Sequence, residues 1–194
     1  MIIVITPEER FQKETEIINE LFQEGLDLLH LRKPSMSQEE MEDFIREIDM
    51  QFHHQLVLHS HYDLADDFNI SRLHFRENDR ENGLFKPFTD KLISTSVHDI
   101  ETFNALNEEW EYAFISPVFP SISKKGYGED STVLYDIKNR NNPRVKLIPL
   151  GGINENNIHE VFGSGADGAA LLGAIWESEE PVKVFVKCRQ SVLS

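Results

Sequence analysis

The chain has 194 residues, which is enough for one domain with a sizeable hydrophobic core. Its formal charge of −15 argues against a nucleic acid or an anionic membrane surface as a partner. Cys188 is the only cysteine, which excludes an intrachain disulfide and a thiolate metal cluster. The N-terminus does not resemble a signal sequence and no apolar run reaches membrane-spanning length. We therefore expect one soluble cytoplasmic domain over residues 1–194.

Short apolar runs alternate with amphipathic or polar segments along the chain. The predicted strands cover residues 2–5, 26–31, 55–58, 72–75, 92–97, 112–118, 147–150 and 166–172. The predicted helices cover residues 11–22, 41–48, 62–68, 100–106, 134–138, 158–162 and 181–192, with a further turn after Gly173. Residues 76–87 are polar and acidic, and they show no clear helical period.

Helix boundaries are marked by capping residues and glycines. Ser37 and Glu40 have the spacing of a capping box, and Asp99 and Asn154 each precede an apolar helical pattern as N-caps. Gly25 follows the first helical pattern at the position where a left-handed residue ends a helix. These signals separate each helix from the strand beside it.

Eight strands that alternate with helical segments, without a linker, predict a single-domain α/β fold of the TIM (β/α)8 barrel type with parallel strands. We favour this fold over a doubly wound sheet. The chain lies just below the usual length of such barrels, so most loops must be short. The exception is residues 119–132, which contain Pro120, two lysines and two glycines, and which we predict to form a mobile lid.

Two consecutive predicted strands end in glycine. The strand at 147–150 runs into Gly151 and Gly152, and the next strand closes at Gly173. Bare backbone N–H groups beside a helix start can hold a phosphate, and this is the usual phosphate position after strands seven and eight of a barrel. The alternative is that these glycines only permit turns.

Histidines accumulate where the chemistry of a barrel is usually found. Four of the eight stand at predicted strand ends: His30, His59, His74 and His98. One interpretation is a metal site formed by His59, His61 and His98. The others are an acid/base group, since imidazole titrates near neutral pH, and a hydrogen-bonded structural role.

Six ordered motifs resemble one family. They are LHLRKPSMS, LHSHYDLA, STSVH, SPVFPSISKKG, PLGGIN and GADGAALLGAI, and together they resemble the thiamin phosphate synthase/TenI family over residues 3–175. The resemblance implies a TIM barrel that binds a thiazole phosphate, with its phosphate on Gly151 and Gly152 and near Gly173.

The synthases of this family join a pyrimidine diphosphate to the thiazole phosphate with Mg²⁺ and release diphosphate. Their Gln-x-Arg-x-Lys pattern at strand two corresponds to His30, Arg32 and Pro34 here, so the glutamine and the lysine are replaced. Their Asn-Asp pair at strand three, whose aspartate binds metal, corresponds to His59 and Ser60. A serine hydroxyl is a poor substitute for a carboxylate on Mg²⁺.

Other synthase features persist in this chain. By resemblance, Asp79 matches a second metal aspartate, and the diphosphate contacts correspond to Ser96, Ser121, Ser123 and Lys124. A displaced Lys33 could compensate for the missing lysine.

TenI proteins instead catalyse an allylic proton shift that aromatises a carboxythiazole phosphate, without metal. The resemblance assigns the acid/base role to the histidine of the Ser-x-His end of strand five, which is His98 here. Our preferred interpretation is this tautomerase, with no cofactor and with Arg32, His30, His59, Ser96, Ser121, Ser123 and Lys124 around the substrate. The alternatives are a Mg²⁺-dependent synthase and a non-catalytic thiazole-phosphate binder, and a homodimer is possible.

Overall fold

A computed structural model describes residues 1–120, 122, 126 and 128–193. Its strands are β1 Ile2–Ile5, β2 Leu28–Leu31, β3 Leu56–Leu58, β4 Arg72–Phe75, β5 Leu92–Val97, β6 Trp110–Ile115, β7 Lys146–Pro149 and β8 Ala169–Leu171. All pairings are parallel, in the order β7-β6-β5-β4-β3-β2-β1-β8. A bridge between Leu150 and Ala170 joins the two ends of the sheet. The predicted TIM barrel is confirmed.

Helices connect these strands, as the right-handed crossover of parallel strands requires. They are α1 Glu14–Gln23, α2 Gln38–Arg46, α3 Leu64–Asp67, α4 Glu77–Glu81, α5 Ile100–Asn104, α6 Val133–Asp136, α7 Ile158–Gly163, α8 Gly173–Trp176 and α9 Pro181–Leu193, with 3-10 helices at Met50–Gln55 and Ile137–Asn139. Within the described residues, no helix combines the length and the apolar character that a membrane span requires.

Two of the three predicted helix caps are confirmed. The Ser37 and Glu40 side chains each accept a hydrogen bond from the other's backbone N–H, at 3.2 and 2.7 Å respectively. Asp99 Oδ1 accepts from the N–H of Thr102 at 2.6 Å. Asn154 is not the N-cap of α7, because the helix begins after Asn157. Its side chain instead caps the turn that leads into α7, where Oδ1 accepts from the N–H of Asn156 at 2.9 Å.

Helix α4 was not predicted. None of its residues is buried, so it has no apolar period for the sequence to reveal. The carboxylate of Asp79 accepts from the Arg76 backbone N–H at 3.3 Å and from Arg76 Nε at 3.0 Å. This side-chain cap stabilises the first turn of the helix.

The closed sheet buries apolar side chains on both faces, as expected of a barrel. The larger cluster lies between the strands and the surrounding helices. The smaller cluster fills the barrel interior with Ile3, Ile5, Leu28, Val57, Tyr112, Phe114, Ile148 and Ala170. Because side chains alternate along a strand, the positions two residues from these also face inward, and several of them are polar.

The first and last strands are neighbours in the sheet. Ile2, Ile3 and Val4 of β1 pair with residues 169–171 of β8. Beyond β8, the indole Nε1–H of Trp176 donates to the carbonyl oxygen of Ile5 at 2.6 Å. The two ends of the barrel sequence therefore hold each other in place.

Candidate functional site

Three histidines meet inside the barrel. His30 on β2, His59 directly after β3 and His74 on β4 each offer a ring nitrogen within 4.8 Å of one on each of the others. His30 Nδ1 lies 2.8 Å from His59 Nε2, and the rings of His59 and His74 stack with centroids 4.3 Å apart. We call these residues the barrel histidines. The sequence predicted them at strand ends but did not predict their contact.

Hydroxyl groups on β5 and β6 hold the barrel histidines. His30 Nε2 lies 2.7 Å from the hydroxyl of Tyr112, while the two nitrogens of His74 lie 2.9 Å from the hydroxyls of Ser94 and Ser96. Ser96 was predicted from the sequence as a site residue, whereas Ser94 and Tyr112 were not. Both occupy inward positions two residues before Ser96 and Phe114, so strand alternation could have revealed them.

Burial keeps the barrel histidines neutral. Burial is the largest cause that lowers the pKa of His30 and His59 far below the usual value, and it lowers the pKa of His74 to about 3. His74 also lowers the pKa of His30 and His59, because adjacent imidazolium charges would repel. Neutral imidazoles can accept hydrogen bonds or bind a metal ion.

His98 stands apart from this cluster, directly after β5. Its Nδ1–H donates to the carbonyl oxygen of Ser116 at 3.0 Å, which leaves Nε2 as the unprotonated nitrogen of the neutral ring. The side chain is 53% exposed, and Nε2 lies 4.0 Å from Glu77 Oε2 on α4. Glu77 was not predicted as a site residue, since it lies in helix α4, which was not predicted either.

Arg32 and Asp79 are both held by neighbouring charges. Arg32 pairs with Glu8 at 2.6 Å, and Asp79 pairs with Arg76 at 3.0 Å. The positive charge of Arg32 lowers the pKa of His59, and the negative charge of Asp79 raises the pKa of His74. Both charges therefore lie within electrostatic reach of the barrel histidines.

Lys33 is not available to a ligand. Its Nζ lies 2.7 Å from Glu14 Oε1, with both side chains 0% exposed, and 3.2 Å from the carbonyl oxygen of Glu9. The same ammonium group lies over the Phe44 ring of α2 at 5.3 Å. The suggestion that a displaced Lys33 could replace the synthase lysine was wrong, because this side chain is buried among α1 and α2.

Two glycines follow β7 in the left-handed region. The φ angles of Gly151 and Gly152 are 108° and 65°. A Cβ atom on Gly152 would lie 2.2 Å from the carbonyl oxygen of Pro120, so only glycine fits there. The carbonyl oxygen of Gly152 accepts from Asn157 Nδ2 at 3.0 Å.

Gly173 opens α8 after the neighbouring strand β8. Because parallel strands β7 and β8 adjoin through the Leu150–Ala170 bridge, their glycine ends lie at the same face of the barrel. The predicted contacts Ser121, Ser123 and Lys124 lie outside the described residues, as do two further residues of the predicted lid.

The predicted metal trio does not assemble. His61 Nε2–H donates to the carbonyl oxygen of Met36 at 2.8 Å, and His98 is engaged by Ser116. Among the described residues, the group of three potential metal ligands is instead the barrel histidines.

The residues at the synthase metal position fit Mg²⁺ poorly. Mg²⁺ prefers oxygen ligands, usually one or two carboxylates together with substrate phosphates. Ser60 offers a buried hydroxyl that has no hydrogen-bond partner among the described residues, and the Asp79 carboxylate is paired with Arg76.

The fold and its glycine-ended strands define the class, a TIM barrel with a candidate anion site at the C-terminal ends of β7 and β8. The sequence model of a family described as thiamine monophosphate synthase matches residues 2–175. The chain therefore belongs to the thiamin phosphate synthase/TenI family of thiamin biosynthesis.

Individual relatives support this assignment. A thiamine-phosphate synthase from Clostridium tetani is 26% identical over 175 residues, covering 87% of this chain and 83% of that protein. The crystal structure of a thiamine phosphate pyrophosphorylase from Bacteroides thetaiotaomicron has a TM-score of 0.79 and 26% identity, covering 98% and 96% of the two chains. One from Pyrococcus furiosus shares the fold at a TM-score of 0.81 and 20% identity, with 99% and 95% covered.

Proposed function

We propose that this protein binds a thiazole phosphate and catalyses a metal-free proton shift that aromatises the ring, with His98 as general acid/base. The geometry of His98 carries the proposal. One ring nitrogen is engaged by Ser116, so the other can receive a proton at an accessible position after β5. General acid/base catalysis requires this combination of a fixed tautomer and an accessible nitrogen.

The reaction conserves its atoms and electrons within the substrate. Nε2 of His98 removes a proton from a ring carbon, and the electrons move into the conjugated system. The imidazolium then returns the proton to the exocyclic carbon on the same face, which regenerates the neutral ring. The Glu77 carboxylate, 4.0 Å from Nε2, stabilises the imidazolium between these steps.

The substrate phosphate would bind at Gly151 and Gly152, beside the start of α8 at Gly173. The carbonyl group of Gly152 is directed at Asn157. In a trans peptide the N–H of the following residue, Ile153, points the opposite way from this carbonyl. That N–H is therefore left as a donor for an anion. Arg32, His30, His59 and Ser96 would line the remainder of the site, and no cofactor is required.

An assay of the non-aromatic carboxythiazole phosphate in the presence of EDTA tests this proposal. NMR follows the appearance of the aromatic isomer. We expect His98→Ala to lower the turnover rate by ~10²–10⁴-fold. Glu77→Gln should lower it by about fivefold, because a charge at 4.0 Å in a water-like medium contributes about 1 kcal/mol.

His54→Ala is the matched control, because His54 is exposed in the 3-10 helix before β3. Its rate should equal that of the unaltered protein. Binding without turnover, unchanged by His98→Ala, would overturn the proposal in favour of a non-catalytic binder.

The second candidate is a thiamin phosphate synthase. The names of the relatives from Clostridium tetani and Bacteroides thetaiotaomicron favour it, and Asp79 retains a carboxylate near the barrel histidines. Release of diphosphate from a pyrimidine diphosphate, dependent on Mg²⁺ and lost in Asp79→Asn, would establish this activity. Its absence alongside EDTA-resistant isomerisation would exclude it.

A further inference from the structure

The barrel histidines transfer no proton in the reaction proposed for His98, although His30 and His59 would line its substrate site. The interior of such a barrel is usually filled by branched apolar side chains. Here His30 and His74 are 0% and 1% exposed, and the three imidazoles replace apolar packing at one end of the interior. Burying several polar rings together is unfavourable unless their nitrogens are satisfied.

We propose that His30, His59 and His74 bind one divalent transition-metal ion of the Zn²⁺ class inside the barrel. One ring nitrogen of each residue already lies within 4.8 Å of one on each of the others. Tetrahedral Zn²⁺ binds imidazole nitrogens at about 2.0–2.1 Å, which separates them by roughly 3.3 Å. The 2.8 Å contact between His30 Nδ1 and His59 Nε2 needs to widen by only about half an ångström.

The hydroxyl groups around the barrel histidines suit a metal site. A histidine bound to metal normally directs its other ring nitrogen to a second polar group, which fixes its tautomer. If His30 binds through Nδ1, its Nε2–H can donate to Tyr112, which lies 2.7 Å away. If His74 binds through Nε2, its Nδ1–H can donate to Ser94, which lies 2.9 Å away.

The ligand set also selects the class of metal. Three neutral imidazoles with no carboxylate among them suit Zn²⁺, Co²⁺, Ni²⁺ or Cu²⁺, whereas Mg²⁺ and Ca²⁺ need oxygen ligands. Burial keeps the imidazoles in the neutral form that metals bind. Three protein ligands leave the fourth tetrahedral position to water or to a small ligand.

Titration of the EDTA-stripped protein with Co²⁺ tests the site directly. We expect one Co²⁺ per chain with the intense visible absorption of tetrahedral coordination. Zn²⁺ should displace it, and millimolar Mg²⁺ should not. Isothermal titration with Zn²⁺ should give the same stoichiometry, and bound Zn²⁺ should raise the melting temperature.

Site variants distinguish metal binding at the barrel histidines from adventitious metal binding to an acidic protein. His30→Gln and His59→Asn should each weaken Zn²⁺ binding by at least about 100-fold. Tyr112→Phe keeps all three ligands and should weaken it by about 10- to 100-fold through the loss of a supporting hydrogen bond. His61 lies at the same strand end as His59, but its ring donates to Met36. The His61→Ala variant should therefore bind Zn²⁺ as the unaltered protein does.

Circular dichroism establishes that each variant is folded before titration. If a ligand variant is unfolded, the Tyr112→Phe result and the Co²⁺ spectrum decide. An octahedral Co²⁺ spectrum, or affinity that His61→Ala lowers as much as His59→Asn, would overturn the proposal. The test is independent of catalysis, so failure of the tautomerase assay leaves it intact.

Discussion

The buried ion pair between Glu14 and Lys33 gives the sharpest prediction about stability. Breaking a fully buried pair by removing one partner typically costs about 3–5 kcal/mol, because the other charge is left without compensation. Both side chains here are 0% exposed, so solvent cannot replace the lost partner. We therefore expect Lys33→Met to reduce the free energy of unfolding by about 3–5 kcal/mol at pH 7.

Replacing both partners should have a very different effect. Burial raises the pKa of Glu14 despite the neighbouring ammonium group, which indicates that desolvation outweighs the attraction. The double variant Glu14→Leu/Lys33→Met removes both desolvation costs and keeps the apolar volume beside Phe44. We expect its stability to lie within about 1 kcal/mol of the unaltered protein, or above it.

Urea denaturation followed by circular dichroism, with an unchanged m-value, measures both effects. The control is the exposed pair Glu180 and Lys183, whose side chains are 65% and 60% exposed at 3.0 Å separation. Lys183→Met should change stability by no more than about 0.5 kcal/mol. A loss below about 1 kcal/mol for Lys33→Met would refute the reasoning, as would a double variant as unstable as the single one.

Two further predictions concern the glycine end of β7 and the response to acid. Gly152→Ala should weaken binding of a thiazole phosphate and lower the melting temperature more than Gly165→Ala does, because both positions have positive φ but only the first would collide with Pro120. Equal effects would mean that backbone strain alone is responsible. For metal-free protein, the barrel histidines have folded pKa values below the usual one, so unfolding takes up protons. The contribution of these histidines to the free energy of unfolding should be complete above about pH 6.5. The free energy of unfolding should then fall as the pH is lowered towards 3, by up to about 1.4 kcal/mol per pH unit for each histidine. A flat profile over this range, measured by urea denaturation at each pH, would contradict the buried placement.

The fold could be predicted because its signals are local. The apolar run at 2–5 gives the bounds of β1 without error, since both faces of this barrel strand are buried. The end of β6 was placed too late. Pro117 has no N–H with which to continue the strand ladder, and β6 stops at Ile115.

The candidate site was only partly predictable because its contacts are distant in sequence. Strand ends identified the barrel histidines individually, but their contact depends on the register of three strands. The burial of Lys33 was not foreseen, because Glu14, its partner 19 residues earlier in the chain, gave no signal in the sequence. Glu77 was missed for the same reason as α4, which has no buried face.

The pairing of β1 with β8 has a consequence for synthesis on the ribosome. Along one edge, β1 pairs with β8, so this pairing cannot form until residues 169–171 have emerged from the ribosome. Until then, an apolar strand presents unpaired backbone groups that could pair with another nascent chain. The barrel can close only after β8 has left the ribosome, so this edge of β1 stays exposed while all the preceding strands are made.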